Sequence, residues 1–259
     1  LIRYPYRVEF DSMRADVALE VFRGGGDAAR YGYYVVREGL STLIKGLARD
    51  CRRAGVEIRT GAEVVAVEPG LVRLKGRGVV RGDRIVMATH IVALRKLLPA
   101  VPAWNHLSMS PLTRVYAQYP ATPAPWFEGL PKVVTDSPLR YIIPVNPAAG
   151  VIMISYTDAD DTIWWRGLKG KALVRAIQSE LRVLFPDCEI PEPRWMVPYE
   201  WSEGRSYWLP GNYDVSATVS EAMNPVEGVY VCGESLSIAN QGWMEGALET
   251  AETLAARLT

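Results

Sequence analysis

The sequence predicts an α/β chain, α+β in its overall arrangement, and three stretches carry that expectation. Residues 40–51 hold a helical apolar stripe followed at once by alternating strand patterns. Residues 99–147 offer short strand candidates separated by prolines. Residues 229–259 read as a buried strand, a polar loop and a closing helix. With 259 residues the chain can form one large domain or two modest ones around a substantial core.

Taken in order, Phe10, Met13, Val17 and Val21 fall near helical spacing, so a short amphipathic helix is expected over 8–23. Gly24, Gly25 and Gly26 break it; with no strand before them and no helix directly after, they read as a loop rather than a phosphate cradle. Leu40, Leu43, Ile44, Leu47, Ala48 and Cys51 then form one continuous stripe, expected to be buried, and Gly55 closes that helix. Residues 56–59 and 63–68 alternate as strands do, Pro69 and Gly70 make a turn, and 71–74 answers as a hairpin partner. Residues 84–88 read as a buried strand, and a second helix from near Ile91 stops before Pro99.

Beyond that point prolines separate short strands, such as 112–119 and 141–145, with 151–156 as another. A helix is expected over 172–185, with Leu173, Ile177, Leu181 and Leu184 on one face, and 194–201 is extended. Domain boundaries are placed near Leu98 and Met223, and the chain carries no internal repeat.

Composition narrows the function classes. Apolar residues at 49% and charged residues at 22% describe a globular protein rather than a disordered one. A formal charge of zero argues against general nucleic-acid binding, which needs a basic excess. No apolar run approaches the roughly 18 residues of a membrane span. The three cysteines form no CxxC pair, which points to a reducing, cytoplasmic setting without disulfides or structural zinc. With His90 and His106 as the two histidines, no metal centre is expected. The run 158–161, with three aspartates, lacks the glycine and terminal glutamate of a calcium loop and reads as a solvated turn capping a helix. Leu1 in first place implies a processed chain or an excerpt, and no charged-then-apolar leader follows it.

The chemistry concentrates at the end. A strand over 229–232 meets Gly233 and Glu234, crosses a polar loop, and enters a helix at Gly242 and Trp243. A helix N-terminus with its open N–H groups suits an electron-rich ligand, and Gly242 and Gly246 let backbone come close to it. Taken singly, those glycines also read as turn and cap positions and Trp243 as a core aromatic. The GxGxxG loop that normally accompanies such a site is absent from the sequence.

Three strings, EGLSTLIKGLARDCRRAGVEIRTGAEVVAVE, RIVMATHIVALRKLLP and VYVCGESLSIANQGWMEGALETAE, resemble successive blocks of FAD-dependent amine oxidases. That group includes monoamine and polyamine oxidases, L-amino-acid oxidases, protoporphyrinogen oxidase and phytoene desaturases. The resemblance covers most of the chain but about the C-terminal half to two-thirds of a typical member. It implies a partial Rossmann-like FAD-binding domain beside a mixed-sheet substrate domain with packed helices. The expected segments are a helical lead-in over 1–36, FAD-binding blocks over 37–98 and 223–259, and the substrate domain over 99–222.

By the same resemblance, the Val64 backbone pairs with adenine, and Gly233 and Glu234 lie against the ribityl and phosphate region. Gly242, Trp243 and Met244 meet the flavin ring, with the Met244 amide donating to the C2 carbonyl. Trp243 would pair with Tyr207 or Trp208 as an aromatic frame around the substrate amine, although SYW equally suits core packing. Arg114 stands where many members carry a lysine near flavin N5. An arginine stays protonated, so Arg114 is expected to pair within its strand or to bind a carboxylate. His90 replaces a proline of the family pattern and is expected to be a structural, hydrogen-bonded histidine.

The implied function is hydride transfer from an amine-like small molecule to FAD. The cofactor site would be completed by an N-terminal segment or a partner chain. A flavin-less scaffold of the same fold is the alternative, followed by a carotenoid or porphyrin-precursor desaturase.

Overall fold

The computed structural model describes residues 13–17, 19, 36–76 and 78–259. They divide into two compact units, one holding Ser108–Tyr207 and the other Arg14–Leu107 with Trp208–Thr259.

The Ser108–Tyr207 unit is built on a five-stranded sheet. Its strands are β5 (Leu107–Gln118), β6 (Val133–Val134), β7 (Tyr141–Asn146), β8 (Val151–Asp158) and β9 (Trp195–Trp208), in the order β6-β7-β8-β5-β9. β8 runs antiparallel to both β5 and β7. Alternation divides the sheet by face. Val115, Ala117, Ile152 and Ile154 are buried with Leu173, Ile177 and Leu181 of helix α3 (Gly170–Leu184). Each large side chain removed from water in this way contributes about 1.5–3 kcal/mol. Tyr119, Trp126 and Phe127 close one end of the core edge to face, with ring centroids 5.5–6.3 Å apart.

The other unit carries two small sheets. β1 (Val64–Glu68), β2 (Leu71–Leu74) and β3 (Val79–Arg81) form an antiparallel sheet that contains the expected hairpin, while β4 (Ile85–Met87) pairs in parallel with β10 (Val229–Val231). Its helices are α1 (Ser41–Arg53), α2 (Ile91–Leu97), α4 (Val215–Ala222) and α5 (Met244–Leu258). The parallel pair is locked at its outlet, where the Cys232 amide donates to the Met87 carbonyl at 3.2 Å and the Val231 amide to Met223 at 2.9 Å. α2 buries Ile91 and Leu94, and Arg95 donates to the Trp104 and Leu107 carbonyls at 3.0 and 2.6 Å.

Several expectations change on contact with the structure. α1 forms where its period predicts, but none of its residues is buried, and Leu43, Ile44 and Leu47 are 54%, 67% and 60% exposed. Period decides which side chains share a face; it does not supply a layer to cover that face. Replacing Ile44 by Glu is therefore expected to cost less than about 0.5 kcal/mol. Thermal unfolding checks this, since a loss of several degrees would mean that the stripe is packed. Residues 56–59 form no strand, and within β4 only Met87 is buried. Of the helix expected over 8–23, residues 15–17 and 19 are helical and Met13 and Val17 are buried. Phe10, Val21 and Gly24 to Gly26 lie outside the described residues.

Candidate functional site

The strongest constellation is the loop between β10 and α5. Gly233 follows the strand with φ of 152° and starts a single 3-10 turn over Glu234–Leu236. The Gly233 amide donates to Thr250 Oγ1 at 3.0 Å, tying the loop's entrance to the second turn of α5. At its exit the Gly242 amide, with φ of 81°, donates to Glu234 Oε2 at 2.7 Å. Between these ends Ser237 Oγ and Asn240 Nδ2 donate to Glu249 Oε2 at 2.8 and 3.2 Å. Charge-assisted bonds of this kind hold backbone in place more firmly than neutral ones.

This closure presents the start of α5 to solvent. Trp243 is the N-cap residue and provides no side-chain cap, so the first-turn amides of Met244 and Glu245 meet no capping group. Trp243 and Met244 are 52% and 69% exposed. Gln241 is buried behind them, donating through Nε2 to the Ser235 carbonyl at 3.2 Å, while its Oε1 has no partner. Gly246 lies against the loop so closely that an added Cβ would sit 2.3 Å from the Asn240 carbonyl oxygen. Gly233, Glu234, Gly242, Trp243 and Met244 are thus one local assembly.

The other candidates lie elsewhere. Val64 opens β1, paired with Leu74 and 37% exposed. His90 is the N-cap of α2, its Nδ1 accepting from the Val92 amide at 3.5 Å, in the structural role expected. Trp208 is fully buried, with its ring 6.3 Å from Tyr213, so it shows no face to a ligand; Tyr207 is half-buried.

Arg114 is a paired strand residue of the sheet unit. Its Nη1 donates to the Thr113 and Thr157 carbonyls at 3.0 and 2.7 Å and lies 2.9 Å from Asp158 Oδ1. Its guanidinium covers the Tyr156 ring at 3.2 Å. Burial pushes the Asp158 carboxyl up to about 6, with Arg114 pulling it down in part. The run 158–161 does lead into a helix, a 3-10 turn over Ala159–Trp164 with Asp158 at its N-cap, but it is solvated only at Asp160, because Asp158 faces Arg114 and Asp161 receives a two-pronged bond from Arg140 at 2.7 and 2.9 Å. Among the described residues no group of three or more acidic, histidine or cysteine side chains is arranged for a metal ion.

An open surface pocket of about 430 Å³ in the Arg14–Leu107 and Trp208–Thr259 unit is lined by Arg14, Asp16, Asn212, Tyr213 and Asp214, and includes Ile238 of the loop. Arg14 bridges Asp16 at 2.8 Å and the Gly211 carbonyl at 2.8 Å, holding the Asp16 carboxyl below the usual range by its hydrogen bond. The available signal is the PGNYD string after SYW, where a turn brings Tyr213 back onto His106, ring on ring at 3.9 Å.

A model of the flavin containing amine oxidoreductase family matches residues 10–259. The chain belongs to this family. An L-glutamate oxidase precursor from Streptomyces viridosporus is 27% identical over 207 residues, which are 73% of this chain and 29% of that protein. The cyclohexylamine oxidase of Brevibacterium oxydans shares the fold, with a TM-score of 0.65 at 19% identity over 85% of this chain and 53% of that one. The chain thus spans about half or less of the length of these relatives.

FAD is the cofactor of this amine oxidoreductase family, and the residues present fit one end of it. The uncapped start of α5 suits the electron-rich edge of a flavin ring. The partnerless Gln241 Oε1 suits a ligand hydroxyl as donor. The pyrophosphate end has no GxGxxG counterpart in the sequence. No helix among the described residues is long and apolar enough to cross a membrane.

Proposed function

We propose that this chain forms the flavin-ring and substrate portion of an amine-oxidising flavoenzyme. The observation that carries the reading is the uncapped α5 start, with Trp243 and Met244 exposed on a loop closed at both ends. Bound FAD supplies the chemistry by accepting a hydride from the carbon that bears the amine. Met244 and Glu245 amides hold the ring's electron-rich edge, Gln241 fixes a ligand hydroxyl, and the Trp243 ring offers an apolar wall for the substrate amine. Val64 stands on a separate sheet for the adenine end.

A polypeptide segment outside these 259 residues, on the same chain or a second one, provides the pyrophosphate cradle. Two observations support it. The α1 stripe stands uncovered, and a parallel pair of three-residue strands is less than such a sheet needs for stability. The three free cysteines favour a cytoplasmic setting. A flavin-less scaffold is the second reading, favoured by the same uncovered stripe.

Adding FAD to the purified chain, followed by gel filtration, decides between them. Retained flavin absorbance that is lost in a Gln241→Leu variant of unchanged thermal stability is the expected result. A chain that remains colourless even when a dinucleotide-binding segment is supplied would leave the scaffold reading.

A further inference from the structure

The turn that follows β8 holds two large apolar side chains out in water. Ile163 and Trp164 are 66% and 53% exposed, whereas Thr162 and Trp165 on either side of them are buried. Both neighbours are anchored: Thr162 Oγ1 donates to the Ala159 carbonyl at 2.7 Å, and Trp165 Nε1 to Ser155 Oγ at 2.8 Å. Arg140 grips Asp161 just before the tip, and the Gly167 amide donates to Glu200 Oε1 at 3.4 Å just after it. The tip is therefore held in its exposed position by fixed neighbours, at the expense of burying an indole. Arg166, Lys169, Lys171 and Arg175 come next, all exposed, with Lys171 and Arg175 one helical turn apart at the start of α3. Of the carboxylates on this turn or touching it, Asp158 is paired with Arg114, and Asp161 and Asp136 with Arg140. Asp160 and Glu200 are left against four cations, none of which is in an ion pair among the described residues.

We propose that Ile163 and Trp164 form an insertion tip for an anionic lipid surface, with Arg166, Lys169, Lys171 and Arg175 meeting the headgroups. An indole suits the headgroup level of a bilayer, its ring in the acyl boundary and its N–H in the polar layer. Lysine and arginine stems lie along that boundary while their charges reach the lipid phosphates. A protein partner fits less well. Two half-exposed side chains offer on the order of 200 Å² of surface, against about 800 Å² per partner in a stable protein interface. A bilayer needs no matching surface, because shallow apolar insertion beside basic residues is enough for reversible, peripheral attachment. The proposal is independent of the flavin reading and concerns where the chain sits, not what it oxidises.

Flotation of the 259-residue chain tests it, with vesicles of phosphatidylcholine alone and of phosphatidylcholine carrying about 30% phosphatidylserine. Binding is expected to be about tenfold or more tighter to the anionic vesicles, and to weaken about tenfold between ~0.1 and ~0.5 M salt. An Ile163→Ser/Trp164→Ser chain and a Lys169→Glu/Lys171→Glu chain, each with unchanged circular dichroism, are each expected to lose about tenfold or more in binding. Val183→Ser, an exposed site near the end of α3, is expected to change nothing. Equal binding to both vesicles, no flotation, or full binding by the tip variant overturns the proposal. Gel filtration of the same chains reads the rival occupant: a dimer that the tip variant dissociates marks a contact between copies and overturns lipid docking.

Discussion

An Asp158→Leu chain is expected to lose about 3–5 kcal/mol of stability, because it leaves the Arg114 guanidinium buried without a counter-charge. Arginine cannot escape by releasing its proton. The opposite truncation, Arg114→Met, is expected to be milder in acid, where the orphaned carboxyl takes up a proton and becomes neutral. Removing both charges together is expected to restore most of the loss, and denaturant unfolding of the four chains measures the coupling. The wild type has its own pH signature. The folded carboxyl titrates at about 6 against an ordinary 3.8, so the folded state holds the proton more tightly than the unfolded one. That contribution is fully present below the ordinary value, fades as pH rises through about 6, and totals at most about 3 kcal/mol. Additive losses in the double variant, or a flat profile over this window, would falsify the buried-pair account.

Gly246→Ala is expected to damage the candidate site itself. The new Cβ would sit 2.3 Å from the Asn240 carbonyl oxygen and 2.8 Å from Ser237 Cβ, and a backbone oxygen has no rotamer by which to yield. The loop or the first turn of α5 must shift, costing about 1–3 kcal/mol and displacing Trp243 and Met244 from their presented position. Flavin retention and thermal unfolding are both expected to fall. Gly46→Ala is the control: it lies within α1, its Cβ meets Arg49 Nη2 at 4.0 Å, and the helix is expected to gain up to about 1 kcal/mol. If both alanines behave alike, close packing at Gly246 is not what shapes the loop.

How far the sequence speaks depends on how local the physics is. α1 and α3 show the same kind of apolar period, yet Leu173, Ile177 and Leu181 are buried while Leu43, Ile44 and Leu47 are exposed. Spacing determines the shared face, and the covering layer comes from elsewhere in the fold. The assembly of Gly233, Glu234 and Gly242 is legible because its members are near neighbours and the turns impose their residue types. The roles of Gln241 and Thr250 are not, since they exist only after the loop has closed on α5. Asp158 looks like part of an acidic surface run until β8 is laid beside β5, where the register sets Tyr156 opposite Arg114. Tyr156 comes under Arg114, and Tyr116 meets Tyr199 edge-on, only in the assembled sheet, whose pairings no short window contains.

The two ties that close the β10–α5 loop make it a ring of fixed circumference. The Gly233 amide is pinned to Thr250 and the Gly242 amide to Glu234, so the intervening residues span a set distance with a set number of peptide units. Side chains on its outer rim can change without moving either anchor. Adding or deleting a single residue between 235 and 241 would break one of them, which makes length, rather than composition, the conserved quantity to look for in this segment.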